Sequence, residues 1–271
     1  MMKHIIFRDK KIAYQAGGSG LPVMLVHGFA EDHHIWKYQF KKLAKEFFVV
    51  APDIPGSGKS ESLEGNVSIE DYAEAMKQIA DEEFQKEKKF IMIGHSMGGY
   101  IALAFAEKYP QALKGLGLFH STAYADDDTK KEARKKGIEF IKNNGAELFI
   151  QTTTANLFSD KSKEKKPHLV EELIDEYKNF SADSLIQYYQ AMMKRPGRVH
   201  ILESFTGPVL FIIGKKDKLI PVETALKQSR MPSVSHIYIL KNSGHTGMRE
   251  EKKRAIKILS GFLLSFGNFN R

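Results

Sequence analysis

Short apolar runs recur along the chain at Val23-Met24-Leu25-Val26, Phe47-Phe48-Val49-Val50, Phe90-Ile91-Met92-Ile93, Leu116-Gly117-Leu118-Phe119, Val209-Leu210-Phe211-Ile212-Ile213 and Ile237-Tyr238-Ile239-Leu240. Each has strand length, and each is nearly continuous in apolarity, as in strands covered on both faces. Helical patterns fall between them, at about Asp32 to Lys45, Ile69 to Lys86, Met97 to Lys108, Val222 to Ser229 and Arg249 to Phe266. Strand alternating with helix predicts a mostly parallel sheet flanked by helices, an α/β fold. At the start, Lys3 to Arg8 and Lys11 to Gln15 read as an antiparallel hairpin, which brings the sheet to about eight strands.

The strand rhythm stops between Phe119 and Leu202, where the pattern is helical: Thr129 to Asn143, Ala146 to Asn156, Pro167 to Lys178 and Ser184 to Lys194. The simplest account is a core of residues 1–120 and 201–271 carrying a helical insertion at 121–200. The lysines at 130–131, 135–136 and 161–166 read as solvated helix faces, because acids balance them. Tyr188, Tyr189, Met192 and Met193 are candidates for lining a substrate pocket or for packing the insertion onto the core.

The 271 residues, 42% of them hydrophobic, suffice for one large domain with an insertion. No apolar stretch approaches the roughly 20 residues of a membrane span. Met1 to Gln15 has no signal-peptide core, so a cytoplasmic location without membrane insertion is expected. With no cysteine, disulfides, thiolate metal sites and cysteine nucleophiles are excluded, and serine is the natural nucleophile left. The net charge of +8 is local: residues 201–271 carry 12 Lys/Arg against 5 Asp/Glu, while the rest is close to balance. No aromatic residues interleave with those lysines as on a base-stacking surface, so no nucleic-acid partner is expected. An anionic small molecule is favoured only if a lysine faces the pocket.

The strongest chemical signal is Gly94-His95-Ser96-Met97-Gly98, between the apolar run ending at Ile93 and the helical pattern from Met97. A serine at the tip of a sharp strand-to-helix turn needs small neighbours two residues away, which Gly94 and Gly98 supply. The Met97 N–H then belongs to the unpaired first turn of a helix and can face a developing oxyanion. A serine nucleophile needs a base, and the base needs an orienting group. Asp217 follows the run ending at Ile213 and His245 follows the run ending at Leu240, so both fall in loops at carboxyl ends of strands. The chain order is Ser96, Asp217, His245.

That order, with His27-Gly28-Phe29, Trp36 and Asp53-Ile54-Pro55-Gly56-Ser57-Gly58-Lys59-Ser60, resembles the α/β-hydrolase superfamily over nearly the whole chain. The similarity is to the branch with a helical cap between core strands six and seven, and it extends to esterases and enol-lactonases. It implies a Ser96-Asp217-His245 triad, with the Phe29 N–H as a second oxyanion donor beside Met97, and Gly28 letting the backbone turn inward. His27 is expected to make an orienting hydrogen bond. The loop from Asp53 is not a P-loop, because that pattern needs glycine at position 53. His33, His34 and His120 show no partners at metal-ligand spacing, so neither metal nor cofactor is expected. His120 ends the strand before the insertion and is placed with Gly28, Tyr188, Tyr189 and Met192 as a candidate pocket residue. Serine rather than aspartate at the elbow argues against haloalkane dehalogenase and epoxide hydrolase chemistry. Carboxylic ester hydrolysis leads, with lactone hydrolysis, carbon–carbon bond hydrolysis, acyl transfer and a low-turnover small-molecule receptor as alternatives.

Overall fold

The computed structural model describes residues 1–84 and 89–266; the predicted end of the Ile69 to Lys86 helix and residues 267–271 lie outside these. Eight strands form one sheet: β1 (Met2–Phe7), β2 (Lys10–Gly17), β3 (Pro22–Val26), β4 (Phe48–Pro52), β5 (Phe90–His95), β6 (Leu113–Phe119), β7 (Val209–Gly214) and β8 (Ser235–Leu240). Their order is β1-β2-β4-β3-β5-β6-β7-β8. The β1–β2 and β2–β4 pairs are antiparallel and the others parallel. The opening hairpin closes through Arg8 and Asp9, both at positive φ (49° and 60°), the twist that suits a two-residue turn.

The helices of the core are α1 (Lys37–Leu43), α2 (Ile69–Glu83) and α3 (Met97–Lys108), followed later in the chain by α9 (Val222–Gln228), α10 (Gly247–Glu250) and α11 (Lys252–Ser265). Between β6 and β7 lie α4 (Asp128–Thr153), α5 (Asp160–Lys165), α6 (His168–Tyr177), α7 (Ala182–Lys194) and α8 (Val199–Ser204). Helix α2 starts on a capping box, in which the Ser68 hydroxyl accepts from the Asp71 N–H while the Asp71 carboxylate accepts from the Ser68 N–H. The run predicted as one helix from Asp32 divides into a 3₁₀ turn at His33–Trp36 and α1. The run predicted from Arg249 divides into α10 and α11.

In the insertion the two helices expected on either side of residues 144–145 are the two halves of α4, separated at Gly145, whose φ 85° and ψ 166° are not helical. Helices α5 and α8 were not expected, and α8 crosses the predicted boundary at residue 200. Short helices carry little periodicity and are held by neighbours. Ser159, which caps α5, donates to the Asn242 carbonyl beyond β8.

The centre of the sheet is buried on both faces, with every residue of β5 and β7 buried. The edge strand β8, expected to be covered on both faces, exposes Ile237 and Tyr238, because no strand lies beyond it among the described residues. From β3 the chain steps to β4 on one side and, through α2, to β5 on the other. The reversal lies between β3 and β5, and in open α/β sheets ligands bind outside the carboxyl ends of the strands at that point. Phe29 and Ser96 follow those two ends.

Candidate active site

Ser96 sits between β5 and α3 at φ 50°, ψ −116°, a backbone region that L-residues rarely occupy. The surroundings fix it there: its N–H donates to the Phe119 carbonyl (3.0 Å), and its carbonyl accepts from the Gly99 N–H (2.9 Å) and the Ser121 hydroxyl (2.7 Å). The flanking glycines are required by close approach. A Cβ on Gly94 would lie 2.1 Å from the Gly98 carbonyl oxygen, and one on Gly98 would lie 2.4 Å from the His27 carbonyl oxygen. Strand β3, strand β5 and helix α3 therefore cross at contact distance, which is what thrusts Ser96 outward.

Ser96 and His245 line one cavity of about 330 Å³, together with Phe29, Tyr189, Met192 and Phe149. Ser96 Oγ and His245 Nε2 face this space without a hydrogen bond joining them; His245 Nε2 is buried and unpartnered among the described residues. Its other nitrogen, Nδ1, lies 2.8 Å from Asp217 Oδ2. Asp217 Oδ1 accepts from the N–H groups of Leu219 (2.8 Å) and Ile220 (3.1 Å). Burial would raise the Asp217 carboxyl, but the charge of the facing His245 and contacts with two imidazoles outweigh it and hold it well below the usual carboxylate range. An ionised Asp217 accepts a hydrogen bond from the His245 Nδ1–H, which keeps the proton on Nδ1 and leaves the Nε2 lone pair toward the cavity.

The loop after β3 comes up against Ser96: a Cβ on Gly28 would lie 3.1 Å from Ser96 Cβ. The N–H groups of Phe29 and Met97 donate to no acceptor among the described residues. His27 is buried, with Nδ1 donating to the Gly28 carbonyl and Nε2 accepting from the Ile54 N–H and the Ser57 hydroxyl. Burial lowers its pKa, and its hydrogen bonds tie the Asp53 loop to the β3 loop. Asp53 accepts from the N–H groups of His33 and Lys59, so the glycine-rich stretch is a braced structural turn.

Three pocket candidates are placed differently from expectation. Tyr188 lies outside the cavity wall; it is fully buried, with its hydroxyl donating to the Pro55 carbonyl at 2.8 Å. Tyr189, one residue on and about 100° around the helix, takes the cavity position. Gly28 also lies outside the wall, pressed against Ser96. His120 sits behind Asp217, with Nδ1 accepting the Gly214 N–H (3.1 Å) and 3.2 Å from Asp217 Oδ2.

The histidines expected to lack acidic neighbours gain them through folding. His33 meets Asp53, His34 meets Asp32, and His120 meets Asp217. Two groups, Asp32-His33-His34 and His120-Asp217-His245, bring ligand atoms within 4.8 Å of one another. In each, carboxylates and imidazole Nδ1 atoms are already engaged in the hydrogen bonds above, and the second group contains the Asp217–His245 pair.

Sequence reasoning missed a buried ion pair beneath the site. Glu31 Oε2 lies 2.8 Å from His95 Nδ1 and accepts the Gly28 N–H at 2.7 Å, while His95 Nε2 lies 2.9 Å from the His245 carbonyl. Both imidazole nitrogens face acceptors, the arrangement of an imidazolium. Burial opposes the charge on each partner, yet the mutual attraction prevails: Glu31 is held below and His95 above its ordinary value. The pair joins the loops after β3, β5 and β8. The available signal was an acid four residues after His27 and a histidine beside the elbow serine, both without meaning until the loops meet.

A family model described as alpha/beta hydrolase fold matches residues 22–136. An esterase from Thermogutta terrifontis, solved with malate bound, superposes with TM-score 0.92 at 27% identity over 98% of each chain. The chain has the α/β-hydrolase fold. A monoacylglycerol lipase from Homo sapiens is 24% identical over 91% of this chain and 76% of its own length. An enol-lactonase from Burkholderia xenovorans shares the fold, with TM-score 0.87 over 97% of this chain and 100% of its own, at 18% identity. Among the described residues, no helix is long and apolar enough to cross a membrane.

Proposed function

We propose that this protein cleaves carboxylic esters of small to medium substrates through an acyl-enzyme on Ser96. The observation that carries the reading is the Asp217–His245 hydrogen bond, which leaves His245 Nε2 facing the cavity into which the strained elbow presents Ser96. The helical segment between β6 and β7 acts as a cap: Tyr189 and Met192 of α7 and Phe149 of α4 close the cavity above the serine.

His245 Nε2 takes the Ser96 proton as Oγ attacks the ester carbonyl carbon, and the electron pair of the C=O bond moves onto oxygen. The N–H groups of Phe29 and Met97 donate to that oxyanion; losing one such donor typically costs about 10²–10³ in turnover. Protonated His245, stabilised by Asp217, gives its proton to the leaving alcohol as the C–O bond breaks. Water, deprotonated by His245, then releases the acid and restores Ser96. The gap between Ser96 and His245 closes as substrate fills the cavity, since such contacts commonly tighten only in the loaded enzyme.

The test is hydrolysis of p-nitrophenyl esters from acetate to long acyl chains by the wild type and by Ser96→Ala. Ser96-dependent turnover that falls beyond a limiting chain length supports the proposal and sizes the acyl site. Turnover surviving in a folded Ser96→Ala protein would falsify it.

A further inference from the structure

Besides the Glu31–His95 ion pair, the charged side chains on the cavity wall among the described residues are Lys130 and Arg134, one turn apart on α4. Arg134 and Arg195 share a single acid, Asp126. Arg134 Nε donates to Oδ2 at 2.6 Å, and Arg195 Nη2 donates to Oδ1 at 3.0 Å. The two guanidiniums hold Asp126 ionised against the effect of burial. Two fixed positive charges against one negative leave an excess of one.

The position of the excess follows from exposure. The Asp126 and Arg195 side chains are 1% and 2% exposed, whereas Arg134 retains 19% and borders the cavity. Arg195 is further engaged over the Tyr100 ring, 3.7 Å from its centroid. Lys130 pairs with no carboxylate among the described residues, so it adds a second uncompensated charge. The one acid on the wall, Glu31, lies beside Ser96 and is neutralised by His95. The cavity is therefore polarised, with the nucleophile at one place and uncompensated cations at another, between largely apolar surfaces.

An aromatic ladder connects the two. Phe29 stacks on Tyr189 (4.3 Å, 16° between planes), and the Arg134 guanidinium lies 5.5 Å from the Tyr189 centroid. A guanidinium presents a planar fork of donors to a carboxylate, with the lysine beside it as a point charge.

We propose that Lys130 and Arg134 form an anion subsite, and that the natural substrate is an ester carrying a carboxylate several bonds away from the reacting carbonyl. The assignment of the scissile bond rests on the esterase reading above; the anion subsite rests on the cavity wall alone. It reverses the expectation that Lys130 belongs to a solvated helix face.

The experiment has a kinetic and a binding arm. In the first, kcat/KM is measured for mono-p-nitrophenyl adipate against p-nitrophenyl methyl adipate, its uncharged analogue. A second pair places the charge on the alcohol side: 4-acetoxyphenylacetate against its methyl ester, followed by phenol release. The expected result is that one anionic member exceeds its neutral partner, and that the ratio falls about 10- to 100-fold in Arg134→Gln, the effect of one charge-assisted hydrogen bond. Lys130→Gln, at a partly exposed position, is the second variant and moves the ratio the same way.

In the second arm, adipate binding to the Ser96→Ala protein is measured by calorimetry and is expected to weaken in Ser96→Ala/Arg134→Gln. Turnover of neutral esters with no anionic preference and no adipate binding would overturn the subsite and leave the esterase reading standing. Arg134-dependent adipate binding in a protein that hydrolyses no ester would do the reverse.

Discussion

Replacing Glu31 with glutamine isolates the charge of the buried pair while keeping its shape. In the wild type, Glu31 accepts the Gly28 N–H and faces His95, whose far nitrogen meets the His245 carbonyl. A glutamine oxygen in the place of Oε2 can still accept from Gly28, but a neutral His95 has one N–H for two acceptors, that oxygen and the His245 carbonyl, so one hydrogen bond of the network is lost with the ions. Breaking a buried pair outright typically costs about 3–5 kcal/mol. Because His95 can shed its proton and no charge is left buried alone, the expected loss near pH 6 is smaller, about 1–3 kcal/mol, the scale of the one charge-assisted hydrogen bond lost. That corresponds to roughly 2–4 °C in Tm per kcal/mol for a chain of this size.

The pH dependence separates this account from a packing effect. His95 holds its proton more tightly folded than unfolded. Its stabilisation is thus full below the unfolded value of about 6.5 and is lost as pH rises through the raised folded value, by up to about 1.4 kcal/mol per pH unit. Glu31, depressed in the fold, contributes above its unfolded value of about 4.3 and loses that contribution as pH falls through its folded value. Urea denaturation of both proteins from pH 5.5 to 9 should show their difference greatest near pH 6 and narrowing upward. Parallel curves would refute the imidazolium assignment. The variant should also lose turnover, because the pair holds both the Gly28-Phe29 turn and the His245 backbone.

Asp217→Asn keeps the acceptor for Leu219 and Ile220 but removes the charge that fixes the His245 proton on Nδ1. Turnover should fall about 10³–10⁴-fold with little change in KM, and a loss under tenfold would remove Asp217 from the mechanism. Gly98→Ala drives a methyl to 2.4 Å from the Val26 and His27 carbonyl oxygens, so it should cost about 3 kcal/mol or more by urea denaturation, and wild-type stability would contradict the packing described for the elbow. Tyr189→Ala opens the wall opposite Phe29 and should shift the preferred acyl length in the p-nitrophenyl series; equal losses on every ester would count against a wall role.

The parts of the molecule readable from sequence were those where a local rule and the tertiary structure agree. Helix α3 was placed at its observed bounds because the elbow fixes one end and Pro110 follows shortly after the other. The strands were found as apolar runs; β6 was placed three residues short, since Leu113-Lys114-Gly115 breaks the run before it joins β5 and β7. Legibility failed where a residue's meaning is made by a partner far along the chain. Arg134 reads as one more base in a lysine-rich helix until Asp126 and Arg195 are placed beside it, and Glu31 reads as a loop acid until His95 arrives from β5. Tyr188 and Tyr189 carry the same composition signal, and only the rotation of α7 decides which meets the cavity.

The central claim is that Ser96 becomes covalently acylated, and trapping that intermediate tests it most directly. Wild-type protein would be mixed with p-nitrophenyl butyrate, quenched in acid within milliseconds, digested and mapped by mass spectrometry, with a fluorophosphonate in a parallel sample. The account predicts a butyryl adduct and a phosphonyl adduct on the peptide containing Ser96, both absent from Ser96→Ala. Rapid ester turnover with no adduct at Ser96, or an adduct on another residue, would contradict it.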